Sequence, residues 1–490
     1  MKKTPHVIVI GAGVGGLTTA ALLLKSGFQV TVLEAHTYPG GSAGTFYHQG
    51  YRFDAGATLA GGFTPGGPHF QIEEALGLKF PTMNVDPAWI TYIGGEAIHQ
   101  WHSRQQWFEE IIHHFPESLK FWKKQEKLAA LAWQLSSRNF PYPPQTLQES
   151  LTLVRAFRPA LLGTAPYLFS KIADLLPKKR SHLLKPFLDS QLLISAQTTS
   201  EHTNVLYGSA ALDLPRRDVK YIEGGIGSIS KLLAEWIQQQ GGEVRYRQQV
   251  TQLISKNGKI TGVMTNKGLS LQGDYFIANL TPAGLKKLIT DPKTQFDSKQ
   301  NNRASGWGAF TLYVGADQTV IHNNIASHLQ VIVDPEKPLG EGNSIFISIS
   351  PAEDSNRAPA GKTAISVSTH TNIHPWWTLA NQDPDAYEAR KKEYTERVLS
   401  AMEVVLPDIR TKSSLILPGT PVTFQFYTRR PNGLVGGSPQ ESLFSVRGPG
   451  TGFNNLWLVG DSVFPGQSTA AVTIGAQRVA RLVKQTRFPS

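Results

Sequence analysis

The chain has 490 residues, 40% of them hydrophobic and 17% charged, with no cysteine and a formal net charge of +11. That size and balance predict a globular protein of two or three lobes, and they exclude disulfides, iron–sulfur clusters, zinc–thiolate sites and a cysteine nucleophile. The positive charge favours an anionic partner, either nucleic acid or an anionic membrane surface.

The first element is His6-Val7-Ile8-Val9-Ile10, a β-branched run of the kind found in buried parallel strands. A helix from about Gly13 to Ser26 follows, ended by Gly27, and Gln29 to Leu33 is the next strand. The stretch Val7 to Leu24 carries no charge and imitates a signal peptide or short membrane helix. Gly11, Gly13, Gly15 and Gly16 inside it argue for a strand–turn–helix instead, so a soluble or peripheral protein is expected. Residues 106–205 read as amphipathic helices broken at prolines such as Pro141 and Pro143. Lysine and arginine dominate there, interleaved with Trp122, Trp133 and other apolar side chains. Further on, a helix is predicted near Ser228 to Gln240, and Asn257-Gly258 signals a hairpin between Ile254 and Ile260. Tyr275 to Ala278, Ala309 to Val314 and Leu456 to Val459 read as strands. The fold class is α/β. Residues 1–105, 206–280 and 431–490 are expected to form a discontinuous Rossmann-type domain, 281–430 a mixed-sheet substrate domain and 106–205 a helical lid.

Gly11-Ala12-Gly13-Val14-Gly15-Gly16 matches G-x-G-x-x-G in its required setting, after a strand and opening a helix. Gly11 permits the tight turn, Gly13 the approach of a pyrophosphate, and Gly16 close packing of helix on strand. Val14 and Gly15 begin the helix, whose N–H groups and dipole favour phosphate. Glu34 closes the second strand, where a carboxylate binds ribose hydroxyls. A second glycine-rich loop at Gly40 to Thr45 and small residues at Phe53 to Thr58 suit a dinucleotide that continues towards a flavin. Near the end, Gly460-Asp461 runs into a helix start at Thr469-Ala470-Ala471. Asp461 is placed to accept from a ribityl hydroxyl, and the helix dipole to stabilise charge on a reduced flavin. A plain NAD enzyme has no need of that last element, so FAD is the expected cofactor. No metal site is expected, and His113-His114 reads as an exposed helix face.

Carried by the motifs at Gly11 to Gly16, Gly40 to Gly44, Phe53 to Ala57, Tyr221 to Gly227 and Gly460-Asp461, the chain resembles over its whole length the FAD-dependent carotenoid desaturase and isomerase family, relatives of amine oxidases. Ser42 stands where many amine oxidases have arginine. The run Gly56 to His69 is similar to the branch that desaturates carotenoids at C-3′,4′. The resemblance implies FAD contacts from Gly41, Ser42, Ala43, Gly56, Ala57, Thr58 and Val250 as well. It implies hydride loss from an allylic C–H of a carotenoid substrate, with quinone or oxygen as electron acceptor. Glu223, Arg155, Arg158 and His202 are the candidate catalytic groups, Glu223 the best placed of them. Alternatives are carotene cis/trans isomerisation, ketolation, an amine oxidase, and a non-catalytic flavin- or carotenoid-binding protein. The basic helical stretch is expected to dock on an anionic membrane surface from the cytoplasmic side, and nucleic acid is not expected, because no nucleic-acid-binding motif accompanies the charge.

Overall fold

The computed structural model describes residues 4–137, 141–156, 165–289, 306–322 and 325–487. Apolar β-branched runs pair as expected into a parallel sheet. Its strand order is Leu456–Leu458, Tyr275–Ala278, His6–Ile10, Gln29–Leu33, Glu243–Arg245. Three segments remote in sequence thus lie side by side, with Ile8 beside Phe276 and Phe276 beside Leu456. Helices Val14–Lys25, Gly227–Gln239 and Thr469–Arg487 cover one face around Leu17, Leu233 and Val479. The opposite face packs on the hairpin Val250–Lys256 and Lys259–Thr265. Asn257 and Gly258 both take positive φ at its turn, as the dipeptide predicts.

A second sheet has seven strands among the described residues, in the order Ser413–Gly419, Trp307–Asp317, Lys362–Asn372, Ser344–Ile349, His328–Ile332, Ile90–Ile93, Glu96–His99. Alternation sorts its two faces. Phe310, Leu312 and Val314 point into an apolar core shared with the helix Pro384–Glu403, while Thr311 and Tyr313 face the other way. The expected boundaries need three corrections. Residues 90–99, assigned to the first domain, are edge strands of the second sheet, because Ile90–Ile93 pairs in parallel with His328–Ile332. The helix Pro282–Leu288, assigned to the substrate domain, buries Leu285 against the nucleotide sheet. The helix Val205–Asp213, assigned outside the lid from residue 206 on, belongs to the helical core with Trp107, Trp122, Phe187 and Leu192.

A buried polar seam joins the two sheets. Asp54 accepts hydrogen bonds from Thr45 Oγ1 (2.6 Å) and the Ile226 N–H (3.0 Å), and pairs with Arg357 at 3.1 Å. Asp354 accepts from the Tyr221 hydroxyl (2.8 Å) and the Gly224 N–H (2.7 Å). A Cβ on Gly225 would lie 2.6 Å from Asp54 Oδ1, and one on Gly227 2.5 Å from the Thr45 nitrogen. The glycines after Glu223 therefore serve this seam.

Candidate active site

One cavity of about 1,400 Å³ runs from the glycine turn of the first sheet to the face of the second. Its nucleotide end is made mostly of backbone. Gly11 has φ +95°, and a Cβ on Gly13 would meet Asn279 Oδ1 at 2.5 Å. Gly11, Gly13, Val14 and Gly15 line the cavity. Gly16 does not: its Cα packs so closely on the Gly11 carbonyl that a Cβ would sit 2.3 Å from that oxygen. Glu34 also lines it, accepting from the Ala12 N–H (2.7 Å) and the His36 N–H (2.8 Å). Burial pushes the Glu34 carboxyl above its ordinary value, and those backbone donors oppose the shift.

Gly41, Ser42 and Ala43 form the next stretch of wall, with Gly56, Ala57 and Thr58 laid against them. The Ala57 N–H donates to the Ser42 carbonyl (3.1 Å), and Ser348 Oγ holds Thr58 Oγ1 at 2.7 Å. Val250, Gly460, Asp461, Thr469 and Ala470 complete this end. Ala471 lies behind the wall, its N–H already donated to the Ser468 hydroxyl (3.2 Å). Two further contributors escape the sequence reading. Arg430 pairs with Asp461 at 2.7 Å and donates to the Leu434 carbonyl (2.9 Å). Asn279 donates to the Val459 carbonyl (3.1 Å), tying together two strand ends at the crevice where open α/β sheets bind ligands. Only the position of Asn279, directly after a parallel strand, could have pointed to it.

The far end is a sheet face. Thr311, Ser368, Phe346 and Gln330 stand in register across four adjacent strands and all line the cavity. Two residues along, Ala309 pairs with His370, and both also line it. In the other direction Tyr313, Ser366, Ser348 and His328 form a parallel row. That row grips residues 54–58: Tyr313 donates to the Ala55 carbonyl (3.0 Å), and Ser366 Oγ accepts from the Asp54 N–H (3.3 Å). His370 is held neutral, because burial lowers it to about 4, and its Nε2 has no hydrogen-bond partner among the described residues. Among the described residues, the carboxylates on the cavity wall are Glu34 and Asp461, both at the nucleotide end.

None of the described catalytic candidates reaches this cavity. Glu223 is exposed, its N–H donated to the Pro81 carbonyl (2.9 Å), because the seam needs the glycines behind it on the inside of the turn. Arg155 is exposed on the helix Leu147–Ala156, and His202 is exposed at the rim of a separate groove. Arg158 lies outside the described residues. The apolar part of the expected lipid face is corrected too. Trp122 is fully buried, and Trp133 lines the cavity and donates to Asp213 (3.1 Å). His113 is exposed as expected, but His114 is half-buried between Glu96 and Glu110 at 3.4 Å each. No group of three or more metal-ligating side chains comes together among the described residues.

The donor set suits a long dinucleotide. A glycine turn with no room for a Cβ opens a helix, a carboxylate ends the second strand, and the same cavity continues past two glycine loops to a carboxylate fixed by arginine. The family model for flavin containing amine oxidoreductase matches residues 14–418. The chain is 29% identical to a chloroplastic prolycopene isomerase of Daucus carota, over 97% of this chain and 79% of the relative. It is 25% identical to a 1-hydroxycarotenoid 3,4-desaturase of Flavobacterium sp., over 99% of this chain and 100% of the relative. An oxidoreductase from Methanosarcina mazei has a similar structure, with a TM-score of 0.61 at 19% identity over 97% of this chain and 100% of that one. The protein belongs to the flavin containing amine oxidoreductase family and is an FAD-dependent oxidoreductase.

Proposed function

We propose that the protein is a carotenoid desaturase that converts an allylic C–C single bond of a long polyene, at C-3′,4′, to a double bond. The single observation that carries this reading is the make-up of the cavity beyond the nucleotide end. It is a long enclosure floored by Thr311, Ser368, Phe346 and Gln330, with no carboxylate among the described residues there to receive an ammonium group. An amine substrate would enter as a cation and call for such a partner. The relatives named for carotenoid desaturation and isomerisation match nearly the whole chain. When bound, FAD supplies the hydride acceptor such a reaction needs. In this reading Gly11, Gly13, Val14, Gly15 and Glu34 hold the adenosine and pyrophosphate, and Asp461, oriented by Arg430, holds the ribityl chain. The sheet face positions the polyene. His370, kept as a neutral imidazole, lies on that face.

Expression in a bacterial host that accumulates carotenoids tests the reading. A longer chromophore, seen as a red-shifted spectrum and a mass two hydrogens lower, is the expected result. Cis/trans conversion with no change of mass gives the second reading, an isomerase, which the similarity to prolycopene isomerase favours.

The same reading places the protein on the cytoplasmic face of an anionic membrane, passing electrons to quinone or oxygen. The surface that supports docking differs from the one the sequence suggests. Leu147, Leu151 and Val154 are 79%, 49% and 70% exposed along one helix. Glu149 on the same helix is buried against Arg478 at 2.7 Å, so this helix turns its apolar side outwards. Phe169 stacks on Phe444 at 5.2 Å, both largely exposed. Lys178, Lys179 and Arg180 are exposed as well, and no described helix is long and apolar enough to cross a membrane. Replacing Lys178, Lys179 and Arg180 with glutamate should weaken binding to anionic liposomes, each basic residue contributing about 1 kcal/mol. Flavin content should stay unchanged. Equal co-sedimentation of the parent protein with neutral and anionic vesicles would reject the electrostatic part.

A further inference from the structure

A second groove, of about 1,200 Å³, opens on the surface between the helical layer and the second sheet. It is lined by Trp307, Pro338, Leu339, Pro439 and Leu193 together with charged side chains such as Lys185, Glu201 and Lys337. Gln197 lines both this groove and the large cavity. It follows the helix Leu184–Ala196, whose last turn places Ile194 and Ser195 on the cavity and Leu193 on the groove. The division between the two spaces at this point is therefore one side chain thick.

Gln197 is only 5% exposed. Its Nε2 donates to the Ile194 carbonyl (3.2 Å), yet its Oε1 is buried with no hydrogen-bond partner among the described residues. A buried amide oxygen left unpaired is unfavourable, so such an atom normally has a partner in the working state. The frame around it is fixed. The Gln440 N–H donates to the Ala196 carbonyl (3.0 Å), and a Cβ on Gly436 would lie 2.5 Å from Gln197 Cδ. A second point of contact lies nearby, where the Trp307 ring meets the His370 ring at 6.2 Å from the groove and cavity sides respectively.

We propose that the groove is the far-end subsite of the substrate cavity. A rigid polyene with its reacting bond at the nucleotide end cannot fold back on itself, so its other end points away from that end. At the Gln197 threshold that end passes into the groove, whose lining mixes apolar and charged side chains. A hydroxyl on the end group donates to Gln197 Oε1. The substrate class is thus a polyene whose non-reacting end carries a hydrogen-bond donor, a proposal that rests on the polyene reading above.

Binding of lycopene, zeaxanthin and retinol to the FAD-loaded protein in detergent micelles tests it, with retained pigment read by absorbance after desalting. Gln197→Trp fills the threshold and should lower affinity for lycopene and zeaxanthin at least tenfold while leaving the short retinol unaffected. Gln197→Leu keeps the bulk but removes the acceptor. It should weaken zeaxanthin about fivefold, the equivalent of one net hydrogen bond, and leave lycopene unchanged. Wild-type affinity of Gln197→Trp for both long pigments overturns the subsite, as does equal weakening of lycopene and zeaxanthin by Gln197→Leu. If Gln197→Trp fails to retain FAD, the leucine variant decides alone. Parent protein that binds none of the three pigments overturns the polyene reading together with the subsite. Parent protein that binds them, with variants that behave alike, overturns the subsite only.

Discussion

The two ends of the cavity are built by opposite means. At the nucleotide end the wall is backbone, admitted by residues with no side chain, and each piece is a run of a few consecutive residues such as 11–16 or 40–44. At the substrate end the wall is side chains, and neighbours such as Thr311, Ser368, Phe346 and Gln330 come from four strands brought into line by register. A local chemical need writes a local motif. A surface assembled across a sheet writes only alternation, which most strands share. The first end should therefore fail when an atom is added, and the second should change its behaviour when an atom is exchanged.

The largest effect expected from that contrast is at Gly13. Gly13→Val puts a branched carbon where a Cβ already meets Asn279 Oδ1 at 2.5 Å. The protein should purify without yellow cofactor, whereas Ser368→Ala should keep its flavin and alter only turnover. Flavin absorbance per protein separates the two, and a flavin-loaded valine variant would break the comparison. Next in size is the seam between the ends. Arg357→Met leaves Asp54 buried and unpaired, and breaking such a pair costs about 3–5 kcal/mol. Denaturant unfolding should show this as a lower midpoint. A loss below about 1 kcal/mol would mean that the seam does not hold the two sheets together.

Glu34→Ala sharpens the picture of the nucleotide end, since it removes a side chain from a wall made mostly of backbone. Losing a charge-assisted hydrogen bond of about 1.5–3 kcal/mol should lower FAD affinity about ten- to a hundredfold. Unchanged affinity by titration would move the ribose elsewhere. The smallest effect per group concerns acid. Burial lowers His69 and His328 to about 3 and His370 to about 4, from an ordinary 6.5. Below pH 6.5 the unfolded chain binds protons that the folded chain refuses, so stability is complete above that pH and falls as pH drops towards 4. The slope is about 1.4 kcal/mol per pH unit for each histidine. The Tm of the FAD-free protein should decline from pH 7 to pH 5, and less steeply in His328→Gln. A flat Tm over that range would show these imidazoles to be solvated.

Much of the fold was legible for the same reason as the motifs. Val7 to Ile10, Asn257-Gly258 and Leu456 to Leu458 declare their conformation within a few residues. Strands 90–99 were misassigned because chain proximity was the only available guide, and the partner that claims them begins at His328. Trp122 and Trp133 are similar: lysines on the same helix suggested a wet face, but only the packing shows that both rings turn inwards. Glu223 drew attention through its glycines, which answer to Asp54 and Thr45 on another hairpin. Arg430 could not have been read at all, since its meaning depends on Asp461 and on two carbonyls of the following loop.

The order of strands in the nucleotide sheet bears on how the protein is made. The strand Tyr275–Ala278 lies between one drawn from residues 6–10 and one drawn from residues 456–458. The helix that starts at Thr469 packs on the helix that starts at Val14, where a Cβ on Gly15 would touch Val472. During synthesis, then, the glycine turn leaves the ribosome early but waits for most of the chain before its far wall arrives. Contacts this distant in sequence form slowly, because the intervening loop must close first. Nascent chains stalled before residue 456 should not retain FAD, and cofactor capture should be among the last events of folding rather than the seed of it.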